Sequence, residues 1–277
     1  MRRALTVAAC AAATLLACAC AGVAPTQNRT EQQASALNQR AARAYEQGDY
    51  RRAAALYGQA LRLNTAVENS EGIAVNALSL ARAHQAGGDA AAAHRVLDGL
   101  LAEGPLSVPP ERRAEAQARK AQLYLDANDA ARALEWSDKA LASCTGCAAL
   151  PAIQTLRGRS ALAAGDPAAA LDWAGKTLAA TGDAGERANA LRLSGEARLA
   201  RGEHQAALAP LGQALDLDRG LGLPARIFLD LMALARAQLQ LGNRTAARDY
   251  FSRARSVSAA AGDDAGARAA ARGIEGL

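Results

Sequence analysis

Cys144-Thr145-Gly146-Cys147 is the spacing in this chain that most nearly invites chemistry. Two thiols three residues apart can supply half of a zinc site, exchange as a dithiol, or close on each other. A structural zinc site would need two further ligands, and a haem-attachment site would need His at 148, where Ala148 stands. A thioredoxin-like use wants a strand-helix setting, and no strand pattern flanks the pair. His84, His94 and His204 are the three histidines. None has a metal-ligand partner at helical spacing, so each is expected at a surface or groove position. Ala174-Gly175-Lys176-Thr177 ends like a phosphate-binding loop, but the leading glycine would fall at Ala170, in a helical stretch with no strand before it. No G-x-S-x-G presents a nucleophilic serine, and nothing selects two of the many carboxylates as acid and base. The expectation is a chain that is not an enzyme and holds neither cofactor nor metal.

The elements that carry these residues are legible in the composition. Hydrophobic residues make up 51% of the 277, yet aromatics only 3%, and alanine is more than a quarter of the chain. A barrel or sandwich draws on β-branched and aromatic side chains, whereas alanine is the strongest helix former. The chain therefore reads as all-α with thin helix contacts. A turn then recurs six times: Gly48-Asp49, Gly88-Asp89, Asn128-Asp129, Gly165-Asp166, Gly202-Glu203 and Gly242-Asn243, spaced 40, 40, 37, 37 and 40 residues apart. Five residues after the first residue of each turn stands an alanine: Ala53, Ala93, Ala133, Ala170, Ala207 and Ala247. Seven before it stands another small residue: Ala41, Ala81, Ala121, Gly158, Gly195 and Ala235. Two helices can approach closely only where neither carries bulk, so these twelve positions are expected at helix crossings. The glycine would end the first helix in a left-handed cap, and the Asp or Asn after it would cap the second.

This pattern resembles the tetratricopeptide repeat, a helix-turn-helix unit of 34 residues. The larger positions late in the second helix are partly kept, as Tyr57, Leu97, Leu211 and Phe251, with the small Ser137 and Ala174 in the middle repeats. The resemblance implies an all-α, right-handed solenoid of about six repeats over residues 34–257, closed by a C-terminal capping helix over 258–277. The periods exceed 34 by three to six residues, and the proline usual near the end of the second helix is missing. Helices extended by about a turn would absorb the excess. In this family the first helices line a concave groove. Counting from the turn residue as fifteenth, the ninth positions are Ala42, Arg82, Gln122, Arg159, Glu196 and Arg236, and the fifth are Asn38, Leu78, Ala118, Thr155, Arg192 and Met232. Arg82, Arg159, Arg192 and Arg236 are therefore expected to line a groove for an acidic extended peptide or chain terminus, since the guanidinium fork pairs with carboxylates. Against this, 29 of the 32 basic residues are arginine, so arginine is also simply the surface cation of this sequence.

The leader fixes the expected compartment. Met1-Arg2-Arg3 precedes an uncharged stretch from Ala4 to Leu16, too short to span a bilayer and of signal-peptide length. Leu15-Leu16-Ala17-Cys18 resembles a bacterial lipobox, which implies a signal peptide over 1–17 and lipidation at Cys18; Cys20 is the second candidate. An ordinary secretory cleavage nearby is the alternative. Residues 18–33 would be a flexible tether. The expected location is the bacterial envelope, lipid-anchored in the outer membrane and facing the periplasm. In that oxidising compartment Cys144 and Cys147 are expected to pair as a loop-stapling disulfide. Net charge is +5, but the basic residues are scattered among acidic neighbours, so nucleic acid is not an expected partner. The expected function is a protein-binding scaffold, similar in plan to lipoproteins of these repeats that assemble pili, secretins or outer-membrane proteins. The alternatives are an adaptor that recruits peptidoglycan enzymes to the cell wall and a redox protein working through the CxxC.

Overall fold

Most of the described helices begin at a local signal in the sequence. In the computed structural model, which describes residues 29–104 and 107–277, Asp49, Asp89, Asp129 and Asp166 each accept a hydrogen bond from the backbone N–H three residues on, at 2.8–3.1 Å. Such caps satisfy amides that have no partner inside the helix. Asn128 takes the left-handed turn position with φ +58°, where the other repeats use glycine. Glu203 and Asn243 occupy the capping position but make no side-chain capping bond. Asn69, Asp183 and Asp263 cap helices at the junctions between repeats, which the turn signature does not mark.

The described residues form thirteen helices and no strand. In chain order they are α1 (Arg29–Glu46), α2 (Tyr50–Ala66), α3 (Ser70–Ala86), α4 (Ala90–Leu101), α5 (Pro110–Asp126), α6 (Ala130–Ser143), α7 (Leu150–Ala163), α8 (Pro167–Ala180), α9 (Ala184–Ala200), α10 (His204–Gly220), α11 (Pro224–Gln240), α12 (Arg244–Ala260) and α13 (Asp264–Glu275). Each packs on the next, and the odd helices from α3 to α11 also touch in series. That is the layout of an α-solenoid, in which each pair contacts only its neighbours. Helix α1 begins at Arg29, inside the stretch expected as tether, because Ala34 is already buried and Asn69 Nδ2 reaches Glu31 across 3.4 Å. Cys18 and Cys20 lie outside the described residues. Seven of the first twelve helices run 17 residues and α1 runs 18, so much of the excess over the 34-residue repeat lengthens helices.

All twelve small positions are buried, and the ten alanines among them are fully so. A Cβ on Gly158 would meet the Leu193 side chain and come within 3.0 Å of Trp173 Cβ; one on Gly195 would run into Leu211. Glycine is needed there for room, not for backbone freedom. Leu97, Ile153, Leu193, Leu211 and Leu231 fill the gaps between pairs. Ser137 and Ala174 sit buried at the matching site of the middle repeats, where Ser137 Oγ is satisfied by Leu134 O at 2.9 Å. At the C-terminal end α13 lies on α12, with Gly273 against the Phe251 ring.

Candidate functional site

Helices α3, α5, α7, α9 and α11 present one face to an open groove of about 700 Å³. Four fifth positions (Leu78, Ala118, Thr155, Arg192) and three ninth positions (Gln122, Arg159, Glu196) line it. Apolar side chains such as Leu78, Ile153, Leu156 and Leu229 supply much of the floor. A second depression of about 480 Å³ adjoins it through Glu196, and Arg236 stands there beside Leu199 and His204.

The four arginines drawn from the sequence do not share one environment. Arg82 is exposed; its Nε donates to the Tyr45 hydroxyl at 3.2 Å and its guanidinium stacks 4.6 Å from that ring's centroid. Arg159 is exposed and donates through Nη1 to Gln122 Oε1 at 3.1 Å. Gln122 is itself held, its amide donating to Asp126 Oδ1 at 2.7 Å while Gln85 donates to Asp126 Oδ2 at 2.6 Å. Neutral acceptors thus orient both guanidinium groups and leave their charge unneutralised. Arg236 is exposed and has no carboxylate partner among the described residues.

Arg192 is the correction. It lies in the groove wall, but its side chain is 10% exposed and its charge is taken up internally. Nε donates to Asp230 Oδ1 at 2.6 Å, Nη2 pairs with Asp218, and Nη1 donates to Asn189 Oδ1 at 3.2 Å. Both carboxylates are fully buried. Asp218 Oδ1 has Arg226 Nη1 at 3.9 Å and no hydrogen bond. Burial pushes the Asp230 carboxyl up to about 7, against the pull of Arg192, with Asp218 adding to the rise. Arg192 therefore stitches α9 to α10 and α11 and is not available to a ligand.

Arg119 was missed by the repeat count. It lies three residues before Gln122, one turn along the same helix face. It lines the groove, is partly buried, and has no hydrogen-bond or ion-pair partner among the described residues. Burial depresses the basicity of its guanidinium, and the like charge of Arg82 depresses it further. The sequence signal was its place 37 residues after Arg82 and 40 before Arg159. Asp230 was missed too, although a carboxylate inside Ile227-Phe228-Leu229-Asp230-Leu231-Met232 signals a buried pair.

The helix pairs behave differently on the other side. All three lysines stack on tryptophan: Lys120 and Lys139 on Trp136, Lys176 on Trp173, at 4.1–4.3 Å from the ring centroids. Each also has a carboxylate, Asp98, Glu135 and Asp172 respectively. Cys144 and Cys147 are joined, and both sulfur-bearing residues pack with Ala114, Ala140 and Ile153. The pair staples the α6–α7 junction behind the groove wall. Among the described residues no cluster of three or more His, Cys, Asp or Glu could hold a metal, and no helix is long and apolar enough to cross a membrane.

A solenoid of crossed helix pairs with a groove lined by the first helix of each pair defines a repeat scaffold. A family model for the tetratricopeptide repeat matches residues 78–146. Those residues carry tetratricopeptide repeats, and the described residues as a whole have the fold of a tetratricopeptide-like α-solenoid. Solved structures with the same fold include BtubC from P. vanneervenii, at TM-score 0.59 and 17% identity over 84% of this chain and 92% of that one. PilW, a widely conserved type IV pilus biogenesis factor, is similar at TM-score 0.55 and 20% identity over 86% of this chain and 98% of its own. A Rap protein complexed with competence and sporulation factor is similar at 0.59 and 11% identity, over 82% and 66%. No curated protein sequence matches the chain.

Proposed function

We propose that this chain is a non-enzymatic scaffold, anchored in a bacterial envelope by a lipid on Cys18, that holds a protein partner in its concave groove during assembly of envelope machinery. The observation that carries the groove reading is the groove itself: an apolar floor of Leu78, Ile153, Leu156 and Leu229 bordered by Arg119 and Arg159, with Arg236 in the adjoining depression, none of these arginines being paired with a carboxylate among the described residues. Uncompensated charge over an apolar floor is the composition of a recognition surface. PilW and the Rap protein, one a pilus biogenesis factor and the other solved with a bound factor, share the fold and make an envelope-assembly or peptide-holding role a natural use of it. Anchoring and compartment rest on Leu15-Leu16-Ala17-Cys18 and the short apolar stretch before it.

Two experiments test the parts separately. A photo-crosslinking residue placed at Ala152 in the groove should capture a defined partner in the native envelope, and one at Glu135 on the opposite side should not. Capture from Glu135 alone, or from neither, would overturn the groove reading. C18S should release the protein from the membrane fraction; unchanged membrane association of C18S with release by C20S would move the anchor to Cys20.

A further inference from the structure

One run of cations along the first helices has a centre. Arg119 projects from the middle of α5 between Arg82 on α3 and Arg159 on α7. Leaving a guanidinium partly buried without a carboxylate is costly, because desolvation is not offset by a partner. Several partly buried arginines are paired instead: Arg112 has Glu71 and Glu115, Arg157 has Asp138, and Arg192 has two aspartates. Near Arg119 the carboxylates of Asp126 and Glu115 and the phenol of Tyr45 counter the depression only in part. Asp126 is held by the amides of Gln85 and Gln122, and Glu115 by Arg112. The neighbours that could neutralise Arg119 are thus engaged elsewhere.

We propose that Arg119, flanked by Arg82 and Arg159, is a carboxylate-receiving subsite: an acidic side chain of an extended partner segment docks on its guanidinium, with the segment's aliphatic neighbours against Leu78, Ala118 and Leu156. The proposal rests on the groove reading and names the chemistry of its occupant. The three cations come from α3, α5 and α7, the first helices of three successive pairs, and are therefore spread along the series of helices. Packed helices lie about 8–10 Å apart, and an extended chain advances about 3.3 Å per residue, so carboxylates two or three residues apart match that spacing. A single phosphate would need the three guanidinium groups to converge on one point. The two flanking arginines, held by Tyr45 and Gln122, are already oriented, which lowers the entropic cost of engaging a second and third carboxylate.

The test is fluorescence anisotropy on the purified protein, with two labelled, end-blocked peptides: one of alternating Leu and Glu, the other of alternating Leu and Gln. At low salt the Glu peptide should bind at least about tenfold tighter, equivalent to about 1.4 kcal/mol. R119M should reduce that preference to about twofold or less, and R119K should retain part of it, since Lys keeps the charge and loses the fork. R119M should also raise Tm by about 2 °C or more, because it removes an unpaired buried charge. Equal binding of the two peptides, a preference unchanged in R119M, or a lower Tm in R119M would each overturn the proposal. Inorganic phosphate should leave the bound Glu peptide in place after correction for ionic strength; specific displacement by phosphate would reassign the subsite to that anion. If Ala152 crosslinks a partner in cells while Glu and Gln peptides bind alike, the subsite fails and the groove reading stands. If Ala152 captures nothing, the groove reading itself fails.

Discussion

Two regions of the groove wall, α5–α7 and α9, use the same residue type in opposite ways. Toward the N-terminus, Arg82 and Arg159 are oriented by a phenol and an amide, Arg119 has no hydrogen-bond or ion-pair partner among the described residues, and Arg119 and Arg159 line the groove. On α9, Arg192 is instead buried between Asp218 and Asp230, with Leu229 exposed nearby at 46%, whereas Arg236 in the adjoining depression is open again. An arginine at a groove position is therefore not by itself a ligand contact. What decides is whether a neighbouring repeat offers it a buried carboxylate, as α10 and α11 do for Arg192 and the neighbours of Arg119 do not.

The sharpest way to break this contrast is to remove one arginine in each region. R192M should destabilise the fold by about 3–5 kcal/mol in chemical denaturation, because it leaves buried Asp230 without its counter-charge and Asp218 with only Arg226 at 3.9 Å. R159M, which loses only an exposed bond to Gln122, should change stability by no more than about 0.5 kcal/mol. Equal effects would erase the distinction. The crossings, by contrast, should not distinguish the regions. G158A and G195A each force a Cβ into a packed leucine and should each cost about 1–3 kcal/mol. Opening the Cys144–Cys147 bond with C144S/C147S frees a short loop and should cost about 2 kcal/mol or less.

A pH profile separates the regions more gently. Asp230 holds its proton up to about 7 in the fold, whereas an unfolded aspartate titrates near 3.9. Between those values the folded chain binds the additional proton, so stability is greatest at the lower end of the window and falls as pH rises through it. Thermal melts from about pH 5 to 8 should show that decline, at about 2–4 °C per kcal/mol, and D230N should flatten it. R159M should leave the slope unchanged, since its site holds no buried carboxylate. A slope that survives D230N would place the titrating group elsewhere.

How much of this could be read from residue order depends on how local each cause is. The turns, the caps at Asp49, Asp89, Asp129 and Asp166, and the twelve small crossings are set within one repeat, and periodicity exposes them. The junction caps at Asn69, Asp183 and Asp263 are just as local but escape a search keyed to the turn inside each repeat. The start of α1 at Arg29 was hidden because Glu31 meets Asn69 across 38 positions of chain. The fates of the arginines are less visible still. Arg192 finds its partners 26 and 38 residues away, on two other helices, and nothing in its own repeat announces them. Arg119 falls one turn off the position that the repeat count selects, and its lack of a partner depends on where Gln85, Gln122 and Arg112 send their bonds. Spacing can place a side chain on a face, but it does not say what that face already holds.

The most direct measurement is an NMR titration of the arginine Nε–H resonances with the alternating Leu-Glu peptide. The resonances of Arg119 and Arg159 should shift with a common binding curve, and that of Arg192 should stay where it is in the free protein. Movement of Arg192 with the others still, or a titration that moves none of them, would contradict the division between the open cations Arg119 and Arg159 and the internally neutralised Arg192.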